Sequence, residues 1–95
     1  MQAGGFGAES TNITQEHKNL VSHNLAAINS KLGTHATSFT INSVSTQVVA
    51  GTNYFFHLTS NDGQKYSALI HEPLPHTNSP ASVMKAEKGH TAAKQ

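Results

Sequence analysis

The sequence predicts an α+β domain in which one helix covers one face of an antiparallel β-sheet. A helical apolar pattern occupies residues 12–32, and most of the chain after it alternates in the manner of β-strands joined by short turns. The chain has 95 residues, of which 36% are hydrophobic, and this is enough for one modest core. We therefore expect a single domain over residues 1–95, built as one helix on one sheet.

The predicted helix, residues 12–32, carries a stripe of side chains with the i, i+3, i+4, i+7 spacing of an amphipathic helix. The members of the stripe are Ile13, His17, Leu20, Val21, Asn24, Leu25, Ile28 and Leu32. Asn12 with Gln15 approximates a capping box, and Gly33 provides a C-terminal stop. Asn24 interrupts the stripe, and we expect its side chain to form a local hydrogen bond.

The β region follows the helix and is predicted to be an antiparallel meander. The predicted strands are residues 37–49, 52–60, 64–72 and a short final segment, 81–85. The inward phase of the first strand slips between Ile41 and Val44, which indicates a β-bulge. Asp62-Gly63 is a strong signal for the tight turn between the second and third strands.

Both ends of the chain are predicted to be loosely held. Residues 1–10 are rich in glycine around a single aromatic side chain, Phe6, which is typical of a flexible tail. Residues 87–95 are rich in alanine and lysine, and we expect them to fray.

The first two strands are joined by an unusual hairpin tip, Gln47-Val48-Val49-Ala50-Gly51. Hairpin tips usually carry Asn, Asp and Ser, whereas this one carries valine and alanine. Exposed apolar side chains at such a tip suggest a surface that a partner covers. The alternative, in which the valines continue a buried strand, is equally compatible with the spacing.

Residues 47–51, together with the Thr52-Asn53-Tyr54-Phe55 that follows, resemble the QxVxG hairpin of the cystatins in the form found in stefins. Gly4-Gly5 resembles the N-terminal glycine trunk of that family, and Leu74-Pro75-His76 resembles its second hairpin loop. Three short matches in the right order are more specific than any one of them. After Pro80 the chain departs from stefins, whose last strand is longer and carries aromatic residues.

The resemblance implies a cystatin-like fold, with one long helix packed on a curved antiparallel sheet of four to five strands. It also implies a reversible, competitive inhibitor of papain-like, cathepsin-type cysteine proteases that is active as a monomer. Three segments would form a wedge that enters the active-site cleft of the protease. The residues implied to bind the protease are Gly4, Gly5, Phe6, Gln47, Val48, Val49, Ala50, Gly51, Leu74, Pro75 and His76.

A second hypothesis keeps this fold without inhibition. Valines at a tight corner can be strained, and straightening the corner would let two chains exchange the helix and first strand. Such a domain-swapped dimer would hide the hairpin tip and act as a binding or assembly module.

Composition argues against several other classes of protein. A net charge of +1, with six lysines and no arginine, provides no electrostatic basis for binding nucleic acid or a membrane surface. The seven histidines form no HxxxH or HxH pair and the chain has no cysteine, so we expect no metal site and no cofactor. No nucleophile motif such as GxSxG occurs, so we do not expect an enzyme. The lack of cysteine and of a signal-peptide pattern in residues 1–8 favours a cytoplasmic location.

Overall fold

The computed structural model describes residues 5–93 as two consecutive helices followed by a four-stranded antiparallel sheet. The elements are α1 (Gln15–His23), α2 (Leu25–Leu32), β1 (Phe39–Val49), β2 (Gly51–Ser60), β3 (Lys65–Glu72), a 3-10 turn (Pro75–Thr77) and β4 (Ser82–Lys88). The strands lie in the order β1-β2-β3-β4, so each pairs with its neighbour along the chain. The predicted α+β class and antiparallel meander are confirmed.

The helical region differs from the prediction, because it consists of two short helices rather than one long helix over residues 12–32. Helix α1 starts at Gln15 because the residue before it, Thr14, is the N-cap. The Thr14 hydroxyl accepts a hydrogen bond from the His17 backbone N–H at 3.3 Å, and the His17 Nδ1 atom accepts one from the Thr14 N–H at 3.1 Å. The capping box is therefore formed by Thr14 and His17, not by Asn12 and Gln15.

The break between the helices lies at Asn24, where the side chain competes with the backbone. The Asn24 amide nitrogen Nδ2 donates to the Leu20 carbonyl at 2.8 Å, which is the acceptor that the Asn24 backbone N–H would use in a continuous helix. The Asn24 N–H donates instead to Val21, one residue closer, at 3.2 Å. The predicted local hydrogen bond is confirmed, and it explains the interruption. Helix α2 ends as predicted at Gly33, which has φ of 70°.

The hydrophobic core lies between the helices and one face of the sheet. Its buried members are Leu20, Val21, Ile28, Val44, Tyr54, Phe56, Leu58, Ala68, Ile70 and Val83. In β2, Tyr54, Phe56 and Leu58 face the helices, so the alternate residues Phe55 and His57 face away from them. The sheet thus has an apolar face toward the helices and a second face, which we call the outer face.

The predicted bulge in β1 is confirmed. Ile41 pairs with Leu58 and Ser43 pairs with His57, so Asn42 is the extra residue. One additional residue reverses the alternation along a strand. Both Ile41 and Val44 can therefore contact the core.

Strand β4 (Ser82–Lys88) runs further than the sequence predicted. Glu87, which belongs to the segment expected to fray, pairs with Ser67 of β3. Beyond the strand, the Gly89 N–H donates to the Lys65 carbonyl at 2.7 Å. Hydrogen bonds to β3 rather than apolar burial hold this end of the chain, which is why its composition did not indicate the pairing.

Gly51 lies where the β1–β2 hairpin meets the connection that follows β3. Its φ is 105°, a backbone conformation that residues with a side chain rarely adopt. A Cβ atom built at this position would lie 2.3 Å from the Glu72 carbonyl oxygen and 3.0 Å from the Pro73 Cα. The close contact between the two connections therefore requires glycine.

We predict that Gly51→Ala lowers the free energy of unfolding by about 2–4 kcal/mol, because the new methyl group meets backbone atoms that have no free space to move into. Urea unfolding followed by circular dichroism measures the loss. Gly33→Ala is the matched control, since Gly33 also has a positive φ but a Cβ there meets nothing within 4 Å. We expect the control to lose only about 1 kcal/mol. Equal losses for the two variants would show that the contact with Glu72 and Pro73 imposes no constraint.

Candidate functional site

Three of the segments singled out in the sequence lie side by side at one end of the sheet. We call this region the three-segment edge; it comprises residues 5–7, 47–51 and 73–80. The Gly7 N–H donates to the Thr46 carbonyl at 2.9 Å, which places the first segment beside the end of β1. Gly51 lies against Glu72 and Pro73, which places the hairpin tip beside the third segment.

The hairpin tip carries exposed apolar side chains. Val48 is 79% exposed and Val49 is 36% exposed, and Ala50 is exposed between the paired residues Val49 and Gly51. Strand β1 does continue through Val49, but the valines lie at its exposed end. The alternative of a buried continuation is therefore wrong.

The third segment is a short turn held by its own hydrogen bonds. Leu74 is 40% exposed, and Pro75 and His76 are exposed beside it. The backbone N–H and the hydroxyl of Thr77 both donate to the Leu74 carbonyl, at 3.1 and 2.7 Å. The proline ring and these two bonds restrict the backbone, so the Leu74 side chain is presented from a stiff loop.

Gln47 has a different position from its neighbours in the hairpin, because it is half-buried on the outer face. Its Oε1 atom accepts a hydrogen bond from the Asn53 Nδ2 at 3.0 Å, and the Asn53 Oδ1 lies 2.7 Å from the His71 Nδ1. This row of side chains crosses β1, β2 and β3 and braces the base of the hairpin. Asn53 and His71 are not predicted as site residues by any motif in the sequence; only the pairing register, which places Gln47 opposite Asn53 and Asn53 opposite His71, reveals them.

The N-terminal segment contacts its own sheet. Gly4 lies outside the described residues, whereas Gly5 and Phe6 are half-buried. The Phe6 ring lies edge-on to Phe55 on the outer face, with 6.0 Å between the ring centroids. Phe6 is therefore packed against the protein instead of extending away from it.

Tyr54 of β2 and Glu72, the last residue of β3, form a polar contact near the three-segment edge. The Tyr54 hydroxyl donates to the Glu72 Oε1 at 3.4 Å. Burial raises the pKa of Tyr54, and the nearby Glu72 carboxylate raises it further. This hydroxyl therefore stays protonated and serves as a hydrogen-bond donor at the end of the sheet.

One group of polar residues resembles the components of a nucleophilic triad but has a different geometry. The Ser43 hydroxyl and the Glu9 carboxylate lie 3.1 and 3.0 Å from the same atom, the His57 Nδ1. In a nucleophilic triad the hydroxyl and the carboxylate contact opposite nitrogens of the ring. Within residues 5–93 there is no cluster of three or more side chains suited to a metal ion, and no helix long and apolar enough to cross a membrane.

Comparisons with known proteins identify the family. A search of curated protein sequences gives no significant match. The family model described as Cystatin domain matches residues 5–93 of the 95-residue chain. The match spans both helices, all four strands and the described part of the three-segment edge. This chain belongs to the cystatin family of protease inhibitors.

Proposed function

We propose that this protein is a reversible, competitive inhibitor of papain-like, cathepsin-type cysteine proteases and that the three-segment edge enters their active-site cleft. The observation that carries the proposal is the 79% exposure of Val48 at the tip of a braced hairpin. The tip lies beside the loop that presents Leu74. Two stiff apolar projections next to each other suit a preformed groove in a partner.

Desolvation of these side chains is the source of the binding free energy in this proposal. A protease–inhibitor interface of standard size buries roughly 1,600 Å² in total. The hairpin and the Leu74 loop already have fixed backbones, so little entropy is lost when they bind. Residues 4–6 are different, because Phe6 must leave Phe55 before it can contact a protease.

The protein acts by obstruction in this proposal, with no catalytic residue, metal or cofactor of its own. The valines, Leu74 and Phe6 supply apolar contact area, and Gln47 supports the hairpin through Asn53. The cytoplasmic location expected from the lack of cysteine stays a prediction, as does the monomeric active state.

The alternative of an inactive domain-swapped dimer depended on strain at the valines. Among residues 5–93, Asn78 is the only residue other than glycine with a positive φ. The left-handed backbone at the hairpin is taken by Gly51, so no such strain at Val48 or Val49 favours opening. Size-exclusion chromatography combined with titration against papain distinguishes an inhibitory monomer from an inert dimer.

We predict that Val48→Asp and Val49→Asp each weaken the inhibition of papain by about 2–4 kcal/mol, because a charged side chain at the tip would lose its water in the cleft. Inhibition constants from steady-state assays measure the effect. Met84→Asp is the matched control, since Met84 is 58% exposed but lies on β4, outside the three segments of the edge. A change of less than threefold for both valine variants would exclude the hairpin as the anchor.

We also predict that removal of residues 1–6 mainly speeds dissociation from papain, because the segment adds contacts that form after the hairpin has docked. Stopped-flow and displacement measurements separate the association and dissociation rates. An unchanged dissociation rate would refute the role of the N-terminal segment while leaving the role of the hairpin intact.

A further inference from the structure

A cluster of polar side chains on the outer face joins four separate parts of the chain. Glu9 precedes the helices, Ser43 lies on β1, His57 lies on β2, and His90 and Thr91 follow β4. The Ser43 hydroxyl donates to the Glu9 Oε1 at 2.7 Å, and that carboxylate oxygen lies 3.0 Å from the His57 Nδ1. The His57 Nε2 lies 2.7 Å from the Thr91 carbonyl oxygen.

The partners of His57 determine which protonation state fits the cluster. A backbone carbonyl can only accept, so the Nε2 atom must carry a proton to bond Thr91. The Nδ1 atom faces a carboxylate, which also accepts only, so it too needs a proton. The imidazolium form is the one that satisfies both contacts. If His57 is neutral with its proton on Nε2, the Nδ1 lone pair faces the Glu9 carboxylate and the two repel each other. The Ser43 hydroxyl has a single proton, so it can donate to either the His57 Nδ1 or the Glu9 carboxylate but not to both.

Other titratable groups surround His57 on the outer face. The His90 ring is stacked on it, with 4.5 Å between centroids and 3° between planes, and the His90 Nε2 lies 3.0 Å from the Leu58 carbonyl. That contact is satisfied by a neutral His90. Two positive charges on stacked rings repel each other, and His57 is the ring of the pair that contacts the Glu9 carboxylate.

Strand β4 contributes a further ion pair to this face. Glu87 pairs with Ser67, which pairs with His57, so the backbones of Glu87 and His57 lie two strand spacings apart, about 10 Å. Its Oε2 atom lies 3.4 Å from the Lys85 Nζ and accepts a hydrogen bond from the Thr91 hydroxyl at 3.4 Å. Glu9 is therefore the carboxylate in direct contact with His57.

The same region holds the N-terminal segment in place. Ser10 and Val44 exchange two backbone hydrogen bonds of 2.8 and 2.9 Å, and Gly7 bonds to Thr46. Phe6 contacts Phe55, whose ring in turn contacts His57 with 5.5 Å between centroids. Glu9 is the charged side chain between these contacts, so its attachment to His57 adds a charge-dependent contact to the backbone bonds that hold residues 5–9 against the sheet.

We propose that Glu9 and His57 form a pH-dependent clasp that holds residues 5–9 against the outer face in weakly acidic solution and loosens them as the solution becomes neutral to alkaline. The exposed fractions support this role. The His57 side chain is only 12% exposed and is fixed by the sheet, whereas the Glu9 side chain is 58% exposed and is free to leave.

Glu9 sets the lower limit of the pH range in which the clasp is closed. The hydrogen bond from Ser43 lowers the pKa of Glu9, and the positive charge of His57 lowers it further. A carboxyl group whose pKa is lowered by folding stabilises the folded state at pH values above its pKa in the unfolded chain. This stability is lost as the pH falls through its pKa in the folded protein. The upper limit is set by the loss of the proton on the His57 Nδ1 atom, because the neutral ring then presents a lone pair to the Glu9 carboxylate. The clasp is therefore closed while Glu9 is ionised and His57 carries both ring protons.

The clasp is a property of the free chain, and its consequence for inhibition rests on the proposed function. A closed clasp keeps Phe6 on Phe55, so a protease would first engage the hairpin and the Leu74 loop. An open clasp releases the N-terminal segment for binding. The protein would then use its N-terminal segment more readily near neutral pH than in an acidic compartment.

Nuclear magnetic resonance of the free protein tests the clasp without any protease. We expect ¹⁵N relaxation order parameters of residues 5–9 near 0.85 at about pH 5, falling below about 0.6 at about pH 8. Ring ¹⁵N spectra should show both His57 nitrogens protonated at the lower pH and one at the higher pH. Order parameters that stay the same at both pH values would overturn the proposal.

Two substitutions at the same position separate the ion pair from mere packing. Glu9→Ala should loosen residues 5–9 at both pH values. Glu9→Gln should hold them at both, because its amide donates to the neutral His57 Nδ1 while its oxygen accepts from Ser43. Glu16→Gln, in the first turn of α1, is the matched control and should retain the wild-type response. A wild-type pH response in Glu9→Ala would refute the clasp, whereas a confirmed clasp with unchanged protease binding would refute only the function of the segment.

Discussion

The contact between Gly51 and the backbone at Glu72 and Pro73 is the constraint on which the arrangement of the site depends. It joins the β1–β2 hairpin to the connection after β3, and it is close enough that a single added carbon atom would collide with a carbonyl oxygen. The pairing of Thr52 with Glu72 continues the sheet up to this point. The two apolar projections therefore keep a fixed spacing, which is the property that a preformed cleft in a partner can recognise.

The contact of Gly51 with Glu72 and Pro73 also explains why two exposed apolar side chains lie at the same end of the sheet. Isolated exposed apolar residues are common on protein surfaces, and Met84 on the outermost strand is one of them. Val48 and Leu74 differ because two stiff backbones bring them to the same end of the sheet. Their proximity, more than the exposure of either one, is the feature that supports the proposed binding surface.

The outer face of the sheet has a separate role from the core. Its side chains are held by hydrogen bonds, and the segments before α1 and after β4 both lie on it through contacts with His57. Since the N-terminal segment reaches the site along this face, solution conditions that alter the histidine can alter the site. The buried core lies on the opposite face of the sheet, between the strands and the helices.

The sequence by itself determined the fold class, the bulge in β1, the end of the helical region at Gly33 and the family, because each depends on local periodicity or on a short motif. It also identified the hairpin tip, although spacing alone left the exposure of Val48 and Val49 open. Only the tertiary structure decided the helix break at Asn24, the contact of Phe6 with Phe55 and the cluster around His57. These features depend on which carbonyl a side chain reaches or on residues brought together across the sheet, and neither is encoded in the order of polar and apolar residues.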